Sequence, residues 1–160
     1  MSNGKDPRPL QDADYIALAE FRYHLRKFLR HMEEQIRELG VNPQQYQLVL
    51  AVKGLPRDQA PTIGNLAERM QLNHNTMVEL VDRSEQSGLL RRERSGADRR
   101  RVTLSITAEG EALLRKLGSA AREELRVSGP LLVRAVLRLT RGTATRQNRT
   151  RRKAVEKTGP

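Results

Sequence analysis

Apolar positions recur along this chain with two different periods, and the change from one to the other marks its centre. Asp12 or Asp14 can cap a helix in which Leu18, Phe21, Leu25, Phe28, Met32, Ile36 and Leu39 follow at intervals of three and four, until Gly40. That near-heptad seam predicts one long helix over residues 12–40. Asn42, Pro43 and Gln45 then form a start signal: Asn42 caps, Pro43 takes the first helical position where no amide is needed, and Gln45 can reach back. Tyr46, Leu48, Val49, Leu50 and Val52 predict a second, largely buried helix that ends at Gly54, and LPRDQAP after it is a loop. Ile63, Leu66, Ala67 and Met70 share one face of a short third helix. Only Gln71 and Leu72 separate it from Asn73, a good N-cap for a fourth helix. There Met77, Leu80, Val81 and Ser84 share a face, and Gly88 supplies the left-handed position that ends the helix.

Beyond Gly88 the period falls to two. Val102, Leu104 and Ile106 alternate with Arg101, Thr103 and Ser105, which predicts a half-buried strand. The polar turn SGADRR, with Gly96 and Asp98, suits a hairpin tip. Thr107 caps a further helix carrying Leu113, Leu114, Leu117, Ala121 and Leu125, which Ser128-Gly129-Pro130 is expected to break. A last apolar run extends from Leu131 to Leu139. Residues 1–11 are expected to be flexible, and 141–160, without an apolar period, a disordered basic tail.

Two short helices joined by a tight turn, with a hairpin behind them, make a winged helix-turn-helix. The expected fold class is therefore mainly α (α+β): a DNA-binding winged domain over 42–107, flanked by dimerisation helices at 12–40 and 108–140. The flanking helices carry more apolar face than a domain of this size buries alone, and a two-fold homodimer is the simplest way to cover it.

On TIGNLAERMQLNHNTMVELVDRSEQSGLLRR and DRRRVTLSITAEG the sequence resembles the MarR family of transcriptional regulators. That family marks its wing by Asp-x-Arg ahead of Leu-x-Leu-Thr-x-x-Gly, here Asp98 with Arg100, then Leu104, Ile106, Thr107 and Gly110. Ser84 departs from the pattern, standing where the family usually places a Leu. The resemblance implies the dimeric architecture and a small-molecule effector, often a small aromatic acid, held between the dimerisation helices and the winged domain. Arg22, His24, His31 and Tyr46 are the residues available near that region.

Composition narrows the chemistry. There is no Cys, which excludes disulfides, thiolate zinc sites, catalytic thiols and the thiol-oxidation switch of some members of the resembled family. No Gly-rich phosphate loop or supported Ser-His-Asp set is present, so no catalytic residues and no cofactor are assigned. His24 and His31 lie seven residues apart on one helix face, near Glu34, which is too few ligands for a metal site. No signal peptide or membrane-length apolar run occurs, and a cytoplasmic location is expected.

The formal charge of +11 is unevenly placed. Residues 138–160 hold a net +7, as a non-specific DNA arm or as a solubilising terminus. Residues 91–101 contain six Arg against Glu93 and Asp98, a density that suits a hairpin facing phosphate.

The exposed face of the fourth helix offers His74, Asn75, Thr76, Glu79 and Arg83. Asn75 could read an adenine, Thr76 a phosphate or a thymine methyl, and Glu79 a cytosine amine. Arg83 could contact backbone or pair with Glu79. Taken singly, each also fits a solvated helix face. Arg91, Arg92 and Arg94 on the first strand would meet phosphates. Arg99 and Arg100 at the tip would enter the minor groove, with Asp98 holding the tip in shape.

The sequence thus predicts a homodimeric repressor of double-stranded DNA, acting on an inverted-repeat operator and released by a small molecule. A non-sequence-specific architectural DNA binder is the alternative. If a dimer neutralises ~6–10 phosphates, its affinity should fall by roughly 10³ to 10⁵ between 50 and 200 mM salt. A salt titration of duplex binding checks this.

Overall fold

The structure, a computed structural model, describes residues 9–94 and 102–156, with side chains described for 9–93 and 102–140. Its elements run α1 (Asp12–Glu38), α2 (Pro43–Lys53), α3 (Ile63–Met70), α4 (His74–Gln86), β1 (Leu90–Arg94), β2 (Val102–Ile106) and α5 (Ala108–Glu156). They fall into two compact units, one of residues 31–122 and one formed by residues up to 30 with those from 123 on. The winged unit is thus larger at both ends than 42–107. Met32 and Ile36 of α1 are buried in it, as are Leu113, Leu114 and Leu117 of α5.

Local capping explains where the helices of this unit start. Asn42 accepts from the Gln44 amide at 2.9 Å, and Gln45 Oε1 accepts from the Asn42 amide at 3.3 Å, which completes the capping box. Thr62 Oγ1 accepts from the Asn65 amide, and Asn73 Oδ1 from the Thr76 amide at 2.8 Å. Between α3 and α4 the chain turns at Gln71, whose φ of 54° is left-handed, and the Leu72 amide donates back to the Ala67 carbonyl. A side chain in that region is uncommon, and the compact turn here requires it. Gly88 takes φ +69° at the end of α4, and the Leu89 amide donates to the Ser84 carbonyl.

Leu48, Val49, Leu66, Met77, Leu80, Val81, Leu90 and Leu104 form the core of the winged unit. Ser84 is fully buried among them, and its hydroxyl donates to the Leu80 carbonyl at 2.7 Å. A hydroxyl at a Leu position is thus satisfied by its own helix. Leu50, expected inside, is 46 % exposed.

β1 and β2 pair antiparallel, with Leu90 opposite Ile106, Arg92 opposite Leu104 and Arg94 opposite Val102. The segment before α3, expected as plain loop, adds a bridge: Thr62 pairs with Thr103, and the Leu104 amide donates to the Pro61 carbonyl at 2.9 Å. The base of the wing is closed by Thr107. Its hydroxyl donates to the Gly88 carbonyl at 2.6 Å and accepts from the Gly110 amide at 3.1 Å, capping α5.

Three expectations for the flanking helices need correction. Neither Asp12 nor Asp14 is the N-cap of α1. Gln11 precedes the helix, and buried Asp14 reaches back to accept from the Gln11 amide at 2.9 Å. Next, α5 continues through Ser128, Gly129 and Pro130. Proline removes one amide and crowds one carbonyl, but helical residues on both sides can carry the helix past it. Ser128 Oγ also donates to the Glu124 carbonyl at 2.9 Å. Finally, residues 141–156 of the expected disordered tail are helical. Arg, Gln, Lys and Ala are good helix formers. The missing apolar period argues against a buried face, not against a helix.

In the second unit Ala17 and Ala135 are buried, while Ile16, Leu131, Val133, Val136 and Leu137 stay exposed. No helix among the described residues is long and apolar enough to cross a membrane.

The tight join at Gly110 yields a test. A Cβ there would meet the Leu89 carbonyl oxygen at 2.4 Å and Ile106 Cγ2 at 2.7 Å, whereas one at Gly118 meets nothing within 4 Å. Gly110→Ala should lower unfolding stability by about 1–3 kcal/mol. Gly118→Ala, in mid-helix, should raise it by roughly 0.5–1 kcal/mol. Chemical denaturation of the two variants checks both signs.

Candidate nucleic-acid interface

The site is built on α4 because its two ends are fixed and one face is left open. At its start Asn73 is the cap. His74, Asn75, Glu79 and Arg83 are exposed and Thr76 is half-buried, so the structure brings these five together along one helix. Arg83 makes no ion pair with Glu79 and points no charge inward. Its main-chain carbonyl instead accepts from Gln45 Nε2 at 2.9 Å, and the same amide nitrogen donates to Ser87 Oγ at 3.0 Å. Gln45 is 8 % exposed, so this amide fixes the C-terminal part of α4 against the start of α2. The sequence pattern gives Gln45 only a capping role. The amide does both, since Oε1 serves the cap and Nε2 serves α4.

The wing departs from its expected role at Arg92. Its guanidinium pairs with Asp82 and Glu85 of α4, and its backbone amide donates to Glu85 Oε1 at 2.9 Å. Arg92 is therefore a joint between β1 and α4 rather than a phosphate ligand. Leu104 lies opposite it in register and is buried, so the Arg92 side chain starts from the inner face of the hairpin, where α4 is within reach. The backbone hydrogen bond from Arg92 holds the Glu85 carboxyl below its usual range; burial opposes this, and the guanidinium adds to it. Burial of the Arg92 guanidinium works against its charge, but hydrogen bonds and attraction from Asp82 and Glu85 outweigh it.

Arg91 faces the other side of the hairpin and is exposed. Its guanidinium donates to Glu93 Oε1 and to Ser105 Oγ, both at 2.9 Å. The Ser105 hydroxyl and Arg91 hold Glu93 below the usual carboxylate range. This cluster keeps Arg91 extended across the outer strand surface, in the open where a phosphate can meet it. The Arg94 backbone pairs with Val102. The Arg94 side chain and all of Asp98, Arg99 and Arg100 lie outside the described residues.

The four effector candidates occupy different settings. Tyr46 is buried in the winged unit, where burial pushes its phenol up. His31 is half-buried on α1, and Arg22 is exposed on it. His24 lines a cavity of about 250 Å³, with Ile16, Ala17, Glu20, Arg134 and Arg138 among its walls. Its Nε2 lies 3.3 Å from Glu20 Oε2, and its ring stacks edge-on to Tyr23. Among the described residues no group of three or more His, Asp or Glu could hold a metal ion.

Two capped helices with a left-handed turn between them, and an Arg-rich hairpin jointed to the second, define a winged helix-turn-helix protein. Residues 39–101 match the family model of the MarR family. The chain is 29 % identical over 110 residues to an uncharacterised HTH-type transcriptional regulator of Bacillus subtilis (strain 168), YsmB, covering 64 % of this chain and 73 % of that one. It is 30 % identical over 86 residues to the HTH-type transcriptional repressor MdtR of the same organism, spanning about half of each (54 %). The fold is shared with AbsC, a MarR-family transcriptional regulator from Streptomyces coelicolor, at a TM-score of 0.65 and 18 % identity, over 90 % of this chain and 98 % of that one. The likeness to the MarR family is carried by residues 39–101, which hold the helix-turn-helix and the first strand of the wing.

The Arg92 joint predicts an acid-side effect. A carboxyl with a lowered pKa contributes stability above its unfolded value, near 4.5 for Glu85, and loses it as pH falls through the lower folded value. Glu85→Gln should therefore be less stable than the parent chain at pH 7, and the gap should narrow as pH falls below 4.5. Denaturant melts on either side of that value measure the gap.

Proposed function

We propose that this protein is a homodimeric repressor that binds an inverted-repeat operator and is released by a small aromatic acid. The observation that carries the DNA-reading part is the open face of α4. His74, Asn75, Thr76, Glu79 and Arg83 stand along it, while the charge of Asp82 and Glu85, which would repel phosphate, is partly offset by Arg92. The N-terminal residues of such a helix reach base edges in the major groove. There Asn75 would pair with an adenine, Thr76 would bond phosphate or touch a thymine methyl, and Arg83 would reach the backbone. Arg91, Arg94, Arg99 and Arg100 of the wing would supply charge to the flanking groove.

Two further features support the rest of the reading. Ile16, Leu131, Val133 and Leu137 are exposed apolar residues on the flanking helices, and a second copy would cover such surface. MdtR, similar over about half of its length, is by name a repressor. For the effector, His24 with Arg134 and Arg138 would meet a carboxylate, and Ile16 and Leu131 an apolar ring. Ligand binding releases DNA if it favours a dimer in which the two recognition helices no longer match one turn, about 34–36 Å.

Selection of bound fragments from random duplex DNA tests this directly. One palindrome should emerge, Arg100→Ala should lose it, and Asn75→Ala should keep it while relaxing preference at one position by about 1–3 kcal/mol. Fragments without any shared sequence would mean an architectural DNA binder instead.

A further inference from the structure

Downstream of Glu124 the sequence has ten Lys or Arg and a single acid, Glu156. α5 carries this stretch as helix as far as Glu156. At 3.6 residues per turn, Arg141, Arg149, Arg152 and Lys153 fall within about a third of the helix circumference. Their positions span about 18 Å along the axis at 1.5 Å per residue. One DNA strand presents roughly five phosphates over that length.

Such a stripe is unfavourable by itself. Arg149 with Arg152, and Arg149 with Lys153, are like charges three or four residues apart. Pairs at that spacing repel, and no acid between Glu124 and Glu156 offsets them. A polyanion along this face removes the repulsion. Two macromolecules could supply it, duplex nucleic acid or an anionic membrane. A helix that lies in a membrane interface needs a broad apolar face opposite its basic one. Residues 141–156 offer only Val155 beyond small alanines. Duplex DNA needs no such face, since phosphate contacts are electrostatic and independent of sequence.

We propose that the C-terminal part of α5 is a second DNA contact, made to the phosphate backbone without regard to sequence and separate from α4 and the wing. It rests on the reading that the chain works on duplex DNA, and adds affinity and salt dependence rather than specificity. This assigns a role to the excess charge that the helix-turn-helix does not use.

The test replaces Arg141, Arg149, Arg152 and Lys153 by Gln in the full chain, with circular dichroism and a melt to establish folding. Binding is titrated against salt for the selected operator and for an unrelated duplex. The slope of log affinity against log salt should become shallower by about 3–4 per chain, with affinity for both duplexes down by about ten-fold or more at 150 mM salt. The selected consensus should not change. Unchanged slopes on both duplexes would overturn the proposal, the more so if phosphatidylglycerol vesicles bind the full chain and not the variant. A shallower slope in a protein that selects no palindrome would leave this contact standing and remove the operator reading. A retained palindrome with unchanged slopes would do the reverse.

Discussion

Arg92 sits on the first wing strand with its guanidinium between Asp82 and Glu85 and its amide on Glu85, so that strand and recognition helix share one charged joint. The rest of the surface proposed to face DNA depends on it. A two-stranded hairpin is marginal by itself and needs a helix to pack on. Here the inner residues Leu90 and Leu104 supply the apolar part of that packing, and Arg92 fixes the angle. The same contact offsets part of the charge of two carboxylates beside the exposed face of α4. One residue therefore sets both shape and charge of the interface.

The other fixed points are polar as well, and each satisfies backbone groups that a helix end leaves open. Gln45 closes the cap of α2 with its oxygen and ties α4 with its nitrogen. Thr107 links the end of the wing to Gly88 and Gly110. Gly110 explains its own place in the family pattern, because the Leu89 carbonyl passes where a Cβ would be. Among the described side chains no buried nitrogen or oxygen lacks a hydrogen bond. The apolar core supplies the bulk of the stability, and these bonds decide the orientation of α4 and the wing.

The flanking helices have the opposite character. Their apolar residues are more exposed than a lone chain tolerates comfortably, with Val127 70 % and Ile16 58 % exposed. Beyond Thr140 the apolar residues thin out and charge of one sign takes over. Within α5, then, one stretch calls for an apolar partner and the next for a polyanion. Covering both would couple self-association to DNA binding through one continuous helix.

Periodicity and caps determined much of this protein from the sequence alone. The seam of α1, the Asn42-Pro43-Gln45 start, the Asn73 cap, the turn from α3 to α4 and the alternation in β2 are local, because neighbouring residues alone satisfy or violate them. The exposed face of α4 was legible for the same reason. What tertiary structure decided lies where a side chain has several possible partners. Arg92 looks in sequence like its neighbours Arg91 and Arg94, and only the packing of the hairpin on α4 brings it to Asp82 and Glu85. Ser84 interrupts an apolar face in sequence, and the fold satisfies it through a hydrogen bond from its hydroxyl to the Leu80 carbonyl. The bridge from Thr62 to Thr103 pairs residues far apart in the chain, which no local pattern encodes. α5 passes through Pro130 because the one hydrogen bond lost there leaves the helix many others to carry it.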